Sequence, residues 1–322
     1  MTASPTGTDC NDDDGDPDIG RSKPLTILGE LGRGTTARVF LAHDGGSRML
    51  AVKVTRKRML SPTLPKAIHN HHVACLLREI SNLWALAGHP NIVRIVSSSV
   101  EDRRAHIVLE YHESDLAKEL YQRRVRMSAT ARVSLMRQVL RALAFAHSKG
   151  IVHCDMKPGN VLMSPYGGGG DVTGVAVCDW GMSDRVDSGA HPLVRVITSF
   201  PYRAPEVLLY APTYGPAVDV WSLGCMLVEV MTGQSPFWRG NVDDNRRQMT
   251  ILTSALGMPT EDDLRSMGVH PSSIRGMKQR SPHPQFLADV PEPARGLAAS
   301  MLQYDPRRRP SASEILSHSF FH

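Results

Sequence analysis

The residues best suited to chemistry lie in one short stretch, HCDMKPGN at residues 153–160, and in the triplet DWG at residues 179–181. Within the stretch, Lys157 comes two positions after Asp155, and Asn160 comes five positions after it. Phosphoryl transfer needs a carboxylate that orients the attacking hydroxyl, a cation beside the transferring oxygens, and oxygen ligands for Mg²⁺. Asp155, Lys157 and the pair of Asn160 and Asp179 can fill these roles in that order. The two segments therefore predict phosphoryl-transfer chemistry.

A small antiparallel sheet is predicted ahead of this stretch. Its apolar runs are short, and turns rich in glycine or asparagine separate several of them. The sequence Asp44-Gly45-Gly46 between the second and third runs is typical of a hairpin turn. The runs cover residues 25–31, 39–42, 49–54, 92–96 and 106–111.

Helical spacing of apolar residues predicts two amphipathic helices that position the chemistry. One carries Glu79, because apolar residues recur at helical spacing across residues 76–84. The other carries a mostly buried apolar stripe at residues 135–143. Ser128 is its predicted N-cap, and Gly150 is its predicted stop.

Two segments lack this periodicity and are predicted to lie outside the core. Residues 1–24 contain crowded aspartates and few apolar side chains, so they bury too little surface to offset their ordering entropy. We predict a disordered acidic tail there, with a regulatory role left open. Residues 61–72 contain two prolines and three histidines. They are predicted to form an exposed loop, because no cysteine or carboxylate accompanies the histidines at a spacing that suits a metal.

The order of six motifs resembles the eukaryotic protein kinases, over about residues 25–322. Each motif alone is weak, since Asp and Gly are ordinary turn residues. In chain order the six are a glycine-rich turn at Gly32, an Ala-Val-Lys ending at Lys53, a helical Glu79, the stretch at 153–160, DWG at 179–181, and Ala-Pro-Glu at 204–206.

The resemblance implies an α+β, bilobal protein-kinase fold. An antiparallel sheet plus one helix would form an N-lobe at residues 25–111. A mainly helical C-lobe would follow at residues 112–322. In this family an aspartate at the position of Asp219 braces the catalytic loop, and an arginine at the position of Arg309 pairs with Glu206.

ATP and Mg²⁺ are the implied cofactors. Lys53 would hold the α- and β-phosphates and pair with Glu79, and the turn from Gly32 to Ala37 would cover the phosphates, with Ala37 in place of a third glycine. The implied catalytic residues are Asp155, Lys157 and Lys53, and the implied metal ligands are Asn160 and Asp179. The implied nucleotide contacts are Leu31, Gly32, Gly34, Val39, Ala51, Lys53, Glu79, Glu110, His112, Asp115, Asn160 and Leu162.

The resemblance narrows to the cyclin-dependent kinase family of the CMGC group. It rests on REI at 78–80, HPNIV at 89–93, YRAPE at 202–206 and LQYDPRRRPSA at 302–312. Arg203 in YRAPE implies protein substrates with Ser or Thr followed by Pro. Lys157, two positions after Asp155, implies Ser/Thr specificity. A cyclin-like activator is compatible with the family, although the helix before Glu79 differs strongly from the cyclin-binding helix of its best-known members.

Three departures from the family occur together. Cys154 stands before the catalytic Asp155 where relatives carry Arg, Asp184 replaces another Arg, and the usual activating Thr position falls at Val194. In relatives the arginines surround the phosphate on that Thr, which carries about −1.5 to −2 charges. We therefore hypothesise that activity does not depend on phosphorylation at this position.

Composition and charge limit the other classes of function. The chain has 322 residues, a net charge of +5 and a pI near 9.0, which is too mild to predict nucleic-acid binding. No apolar run predicts a membrane contact. The five cysteines include no C-x-x-C pair, which favours a reducing compartment. We therefore predict an intracellular protein of the cytoplasm, the nucleus or both.

A pseudokinase that acts as a scaffold or allosteric partner is the alternative to an active kinase. Ala37, Cys154 and Trp180 suggest it, because all three depart from the family pattern. The hypothesis of an active kinase is favoured by an intact set of residues that a scaffold does not need: Lys53, Glu79, Asp155, Lys157, Asn160 and Asp179.

Overall fold

The computed structural model describes residues 25–34, 37–56, 61, 66–101, 104–125, 127–164, 172, 174–186, 199–240, 242, 244–278 and 286–322. They form two compact units. The first contains the described chain up to Leu76 together with Ile95–Tyr111, and the second contains Leu77–Arg94 and His112–His322. The predicted tail at residues 1–24 lies outside the described residues, and the predicted lobe boundaries stay a prediction.

The first unit is built on a five-stranded antiparallel sheet in the order β1-β2-β3-β5-β4. Alternate side chains of these strands point to one face and form an apolar core, in which Val52 is fully buried. Gly45 has a φ of +84° in the predicted hairpin turn between β2 and β3. The strands are β1 (Thr26–Arg33), β2 (Ala37–His43), β3 (Met49–Thr55), β4 (Ile95–Glu101) and β5 (Arg104–Glu110).

The predicted strand at residues 92–96 is wrong in its first half. Only the part from Ile95 onward joins the sheet, as β4. Val93 instead donates its N–H to the carbonyl of Val177 at 3.0 Å, and the N–H of Val177 donates to Asn91 at 2.9 Å. The apolar run is therefore shared between two sheets, because both offer unpaired backbone groups to it.

The first helix, α1 (Lys66–Ala85), carries Glu79 as predicted, and this carboxylate is only 6% exposed. Residues 66–72 belong to the helix, so the predicted loop is wrong over that range. Residues 66–72 read KAIHNHH and carry no repeated apolar spacing, so a pattern of apolar residues does not predict a helix there. Leu77 and Trp84 face outward, with 56% and 49% of their surface exposed.

The second unit is mainly helical, and two of its helices, Ala129–Ser148 and Ala217–Thr232, each contribute many buried residues to its core. The helix α2 (Ala129–Ser148) begins at the predicted N-cap, where the Ser128 hydroxyl accepts from the Ala131 N–H at 3.0 Å. Gly150 follows its end with a φ of +70°. The other α-helices and the strands described in this unit are α3 (Pro205–Leu208), α4 (Ala217–Thr232), α5 (Asn245–Leu256), α6 (Glu261–Ser266), α7 (Ala294–Met301), α8 (Ala312–Leu316), β6 (Ser114–Asp115), β7 (Ile151–Val152), β8 (Val161–Met163), β9 (Val175–Val177) and β10 (Asp184–Arg185).

The helix α4 is buried along almost its whole length and packs closely on α7. A Cβ at Gly224 would lie 3.0 Å from the side chains of Met301 and Leu302, so any larger residue would require these neighbours to shift. The predicted pair of Glu206 and Arg309 is confirmed as a buried, bidentate ion pair with N–O distances of 2.7 and 2.8 Å. In the described part of the chain, no helix is long and apolar enough to span a membrane.

Candidate active site

Asp155 lies in the loop between β7 and β8 and is 6% exposed. Its Oδ2 accepts a hydrogen bond from Lys157 Nζ at 2.6 Å and another from Asn160 Nδ2 at 3.2 Å. Asn160 Nδ2 also donates to the backbone carbonyl of Asp155 at 2.7 Å. The three residues that the sequence predicts for catalysis and metal binding in this stretch therefore form one hydrogen-bonded cluster.

His153 connects this cluster to the segment before the DWG triplet. Its Nδ1 accepts from the Asp155 N–H at 3.1 Å, so the proton of a neutral ring lies on Nε2. That Nε2 donates to the carbonyl of Cys178 at 2.9 Å. The imidazole thus fixes the backbone at two places, Asp155 and Cys178, and Cys178 directly precedes the DWG triplet.

The predicted bracing role of Asp219 is confirmed. Its carboxylate accepts from the backbone N–H groups of His153 at 2.8 Å and Cys154 at 2.9 Å. His147 Nε2 donates to the same carboxylate at 2.8 Å. Burial alone would raise the pKa of Asp219, but these hydrogen bonds and the nearby histidines outweigh it and hold the pKa below its ordinary value. The catalytic loop is therefore anchored on an ionised carboxylate of α4.

Asn160 and Asp179 lie just beyond the paired ends of two short strands. Val161 of β8 pairs with Val177 of β9, and the Cys178 N–H donates to the Asn160 carbonyl at 3.0 Å. Asp179 itself has a left-handed backbone, with a φ of 60°. Residues other than glycine rarely adopt this conformation unless their surroundings impose it, so the Asp179 backbone is held in place.

The donor chemistry of this pair fits Mg²⁺. Magnesium takes oxygen ligands, keeps several waters, and binds through one or two protein groups together with substrate phosphates. Within the described ranges no cluster of three or more His, Cys, Asp or Glu side chains could hold a metal by itself. One amide and one carboxylate are therefore suited to an ion that arrives with a nucleotide.

Trp180 fills the centre of the DWG triplet and is fully buried. Its indole Nε1 donates to the Val177 carbonyl at 3.3 Å, and its ring lies 4.6 Å from that of His153. Gly181 comes next, and a Cβ there would lie 3.1 Å from Glu79 Oε2. The Glu79 carboxylate thus lies directly against the triplet, where a side chain at residue 181 would displace it.

The sheet of the first unit carries a second group of residues, which the sequence predicts to contact the nucleotide. Gly32 pairs with Val39, and Val39 pairs with Lys53, so the side chains of Val39 and Lys53 share one face. Ala51 lies two residues before Lys53 and therefore faces the same way. Glu110 pairs with Leu50 at the end of β5. The roles of these residues toward a nucleotide stay predictions.

The glycine-rich turn between β1 and β2 is closed by a hydrogen bond from the Gly34 N–H to the Ala37 carbonyl at 2.8 Å. A Cβ at Gly32 would meet no atom of the described residues within 4 Å, so packing against this part of the chain does not demand glycine there. The predicted reason for it, close approach to phosphates, stays a prediction. Leu31 is 37% exposed at the start of the turn.

The remaining predicted nucleotide contacts lie in the second unit. Asp115 of β6 pairs in register with Leu162 of β8, and its Oδ1 accepts from the Lys118 N–H at 2.9 Å. His112 Nδ1 lies 3.3 Å from the Ser164 hydroxyl. The predicted pairing of Lys53 with Glu79 joins residues of different units and stays a prediction.

Residues 25–321 match the family model of the protein kinase domain. This chain belongs to the protein kinase family. Cell division control protein 2 homolog 3 of Trypanosoma brucei brucei is 31% identical over 298 residues, covering 90% of this kinase and 89% of the relative. Cyclin-dependent kinase D-1 of Arabidopsis thaliana is 32% identical over 295 residues, covering 90% and 69%. Mitogen-activated protein kinase 15 of Rattus norvegicus is 32% identical over 255 residues, covering 76% and 45%.

These matches confirm the predicted protein-kinase fold, with an antiparallel sheet in one unit and a mainly helical second unit. They also confirm the predicted class of enzyme. The protein is a Ser/Thr protein kinase of the CMGC type and a divergent relative of the cyclin-dependent kinases.

The structure shows what surrounds one departure from the family. Cys154 is 1% exposed, and its thiol donates to the Val152 carbonyl at 3.6 Å. Burial and the negative charges of Asp219 and Asp184 raise the pKa of this thiol well above its ordinary value. A neutral group therefore occupies the position before Asp155 where relatives carry a cation.

Proposed function

We propose that this kinase transfers the γ-phosphoryl group of MgATP to Ser or Thr hydroxyls that precede Pro in protein substrates. The single observation that carries the proposal is the cluster of Asp155, Lys157 and Asn160. It combines a buried acceptor, a cation and a metal-binding amide within hydrogen-bond distance. Positioning and electrostatics of this kind supply most of the acceleration in phosphoryl transfer.

Asp155 acts as the acceptor that orients the substrate hydroxyl. Among the described residues, the side-chain hydrogen bonds to this carboxylate both use Oδ2, which leaves Oδ1 for the incoming hydroxyl. Asn160 fixes both the backbone and the carboxylate of Asp155, so the acceptor does not rotate away. Lys157 neutralises charge beside the reacting oxygens. Bound Mg²⁺, held by Asn160 and Asp179, would neutralise the phosphates.

Arg203 supports the specificity for Pro after the acceptor residue. It belongs to the YRAPE sequence, is 3% exposed, and places its guanidinium 4.1 Å from the centre of the Phe200 ring. Its Nη1 donates to Asn245 Oδ1 at the start of α5. The side chain is thus held rigidly beside the segment that positions peptides in the family.

The test is transfer from labelled ATP to matched Ser-Pro and Ser-Ala peptides by the purified full chain. We expect transfer to the Ser-Pro peptide to be at least tenfold faster. Asp155→Asn, which removes the acceptor charge, and Lys53→Met, which removes the phosphate-binding cation, should each lower transfer by at least a hundredfold. Equal use of both peptides would contradict proline direction, and full activity of Asp155→Asn would contradict the assigned mechanism.

A cyclin-like partner is the proposed explanation if the chain alone binds MgATP but transfers no phosphate. The exposed Leu77 and Trp84 on α1 would offer it apolar surface. An intracellular location, in the cytoplasm or nucleus, is supported by the four described cysteines. None of them forms a disulfide: Cys75, Cys154, Cys178 and Cys225.

A further inference from the structure

A buried polar chain within the second unit links α1 to the DWG triplet. Asn82 of α1 donates from Nδ2 to the hydroxyl of Ser183 at 2.8 Å. That hydroxyl in turn donates to the backbone carbonyl of Trp180 through a short hydrogen bond. Asn82 is 1% exposed and Ser183 is fully buried. The amide, the hydroxyl and the carbonyl therefore form a continuous connection that water does not reach.

The same face of α1 meets the triplet at a second point. Glu79 lies three residues before Asn82, so the two side chains are neighbours on one helix face. A Cβ at Gly181 would come within 3.1 Å of Glu79 Oε2, which shows how closely this carboxylate approaches. Within the turn formed by residues 180–183, Glu79 thus lies against Gly181 and Asn82 bonds to Ser183. The turn begins directly after Asp179.

Displacing either partner would leave a polar group buried without its hydrogen bond. A buried amide or hydroxyl that loses its partner costs free energy, whereas replacing both partners by apolar groups is nearly neutral. Any movement of α1 relative to residues 180–183 would break the chain at Asn82 and Ser183. The position of Asp179 is therefore coupled to the position of the helix that carries Glu79.

We propose that Asn82 and Ser183 are positioning residues that hold the Asp179 carboxylate in its metal-binding place. The proposal rests on the proposed role of Asp179 as a magnesium ligand. The two residues contact neither the nucleotide nor the substrate, and they act through the backbone of the DWG turn. Loss of their hydrogen bond should weaken the magnesium-dependent part of nucleotide binding more than the magnesium-independent part.

The test compares binding of a fluorescent ATP analogue, titrated with Mg²⁺, to the full chain and three variants. In Ser183→Ala the concentration of Mg²⁺ at half-maximal enhancement should rise about tenfold, equivalent to about 1.4 kcal/mol. Binding without Mg²⁺ should change less than twofold. Ser183→Thr, which keeps the hydroxyl, should restore most of the wild-type magnesium response. Ser81→Ala, at an exposed position of the same helix, is the matched control and should behave like the wild type.

Hydrogen exchange provides a readout that does not depend on a bound ligand. In Ser183→Ala the amides of residues 180–183 should exchange at least fivefold faster, while those of α4 keep their wild-type rates. If Ser183→Ala folds poorly, the double variant Asn82→Leu/Ser183→Ala removes both polar partners and should regain stability without regaining the magnesium response.

Two results would overturn the proposal. One is a wild-type magnesium response in Ser183→Ala or, where that variant does not fold, in the double variant. The other is faster exchange that is spread over the whole unit. Failure of the proposed magnesium site looks different, because the wild-type chain itself would then show no magnesium-dependent binding.

Discussion

At the scale of single residues, the surroundings of Trp180 explain how a side chain of this size fits into the site. It is fully buried, its ring packs against His153, and its indole N–H reaches the Val177 carbonyl. Compared with phenylalanine, tryptophan also gives the triplet a large apolar side chain, and its additional N–H bonds to an acceptor inside the same segment. A tryptophan here is compatible with a well-packed active site.

Trp180→Phe should destabilise the protein, because the smaller ring leaves a cavity and the N–H bond is lost. We expect the free energy of unfolding to fall by about 1–3 kcal/mol. Urea unfolding measures the change, with Trp238→Phe as the control because Trp238 is 57% exposed. Equal, small effects of the two substitutions would show that Trp180 is not tightly packed.

At the scale of elements, α4 carries a buried acid that the catalytic chemistry does not use. Glu229 is fully buried and accepts from the Tyr202 hydroxyl at 2.8 Å. Burial raises the pKa of Glu229 to about 8, so the folded protein binds this proton more tightly than the unfolded chain does. The stability contributed by the proton is fully present below the unfolded pKa and is lost as the pH rises toward 8.

Glu229→Gln should remove this pH dependence, because the amide keeps the shape of the neutral acid and does not titrate. Between pH 5 and 8, the wild type should lose about 1.4 kcal/mol of stability per pH unit relative to the variant. Urea unfolding of both proteins at several pH values gives the difference. Parallel stability curves over this range would mean that Glu229 is ionised in the folded protein.

Sequence patterns predicted the elements that depend on neighbours along the chain. The cap at Ser128 and the turn at Gly45 were predictable because both depend on local backbone geometry. The division of the apolar run at residues 92–96 between two sheets was not predictable, because apolar character does not indicate which sheet a strand joins. The extent of α1 before His72 was missed because residues 66–72 carry no repeated apolar spacing in the sequence.

The same distinction holds within the active site. Asp155, Lys157 and Asn160 were predictable as a cluster because they lie in one short loop. The bond between Asn82 and Ser183 joins residues 101 positions apart, and that between His147 and Asp219 joins residues 72 positions apart. Neither pair has a spacing or residue type that would show in one sequence. Their partners are chosen by the packing of helices, which the pattern of a single chain does not encode.

At the scale of the whole molecule, the question is whether this kinase needs an activating phosphate. The thiol of Cys154 is neutral, and Asp184, which pairs with Val152 across β10 and β7, is close enough to help raise its pKa. In relatives both positions are cationic. Negative charge near a phosphate repels it, so this part of the second unit is unsuited to binding one.

We therefore expect phosphatase treatment of the purified kinase to change transfer to the Ser-Pro peptide by less than twofold. Mass spectrometry before and after treatment would verify that phosphate has been removed. The variant Val194→Thr, which restores a phosphate acceptor in the sequence, should gain no activity when phosphorylated, because Cys154 and Asp184 provide no cation to bind the new charge. A tenfold loss of activity on removal of phosphate from Thr198 or Ser199 would contradict this prediction. It would mean that the kinase has moved its activating phosphate by a few residues and has not dispensed with it.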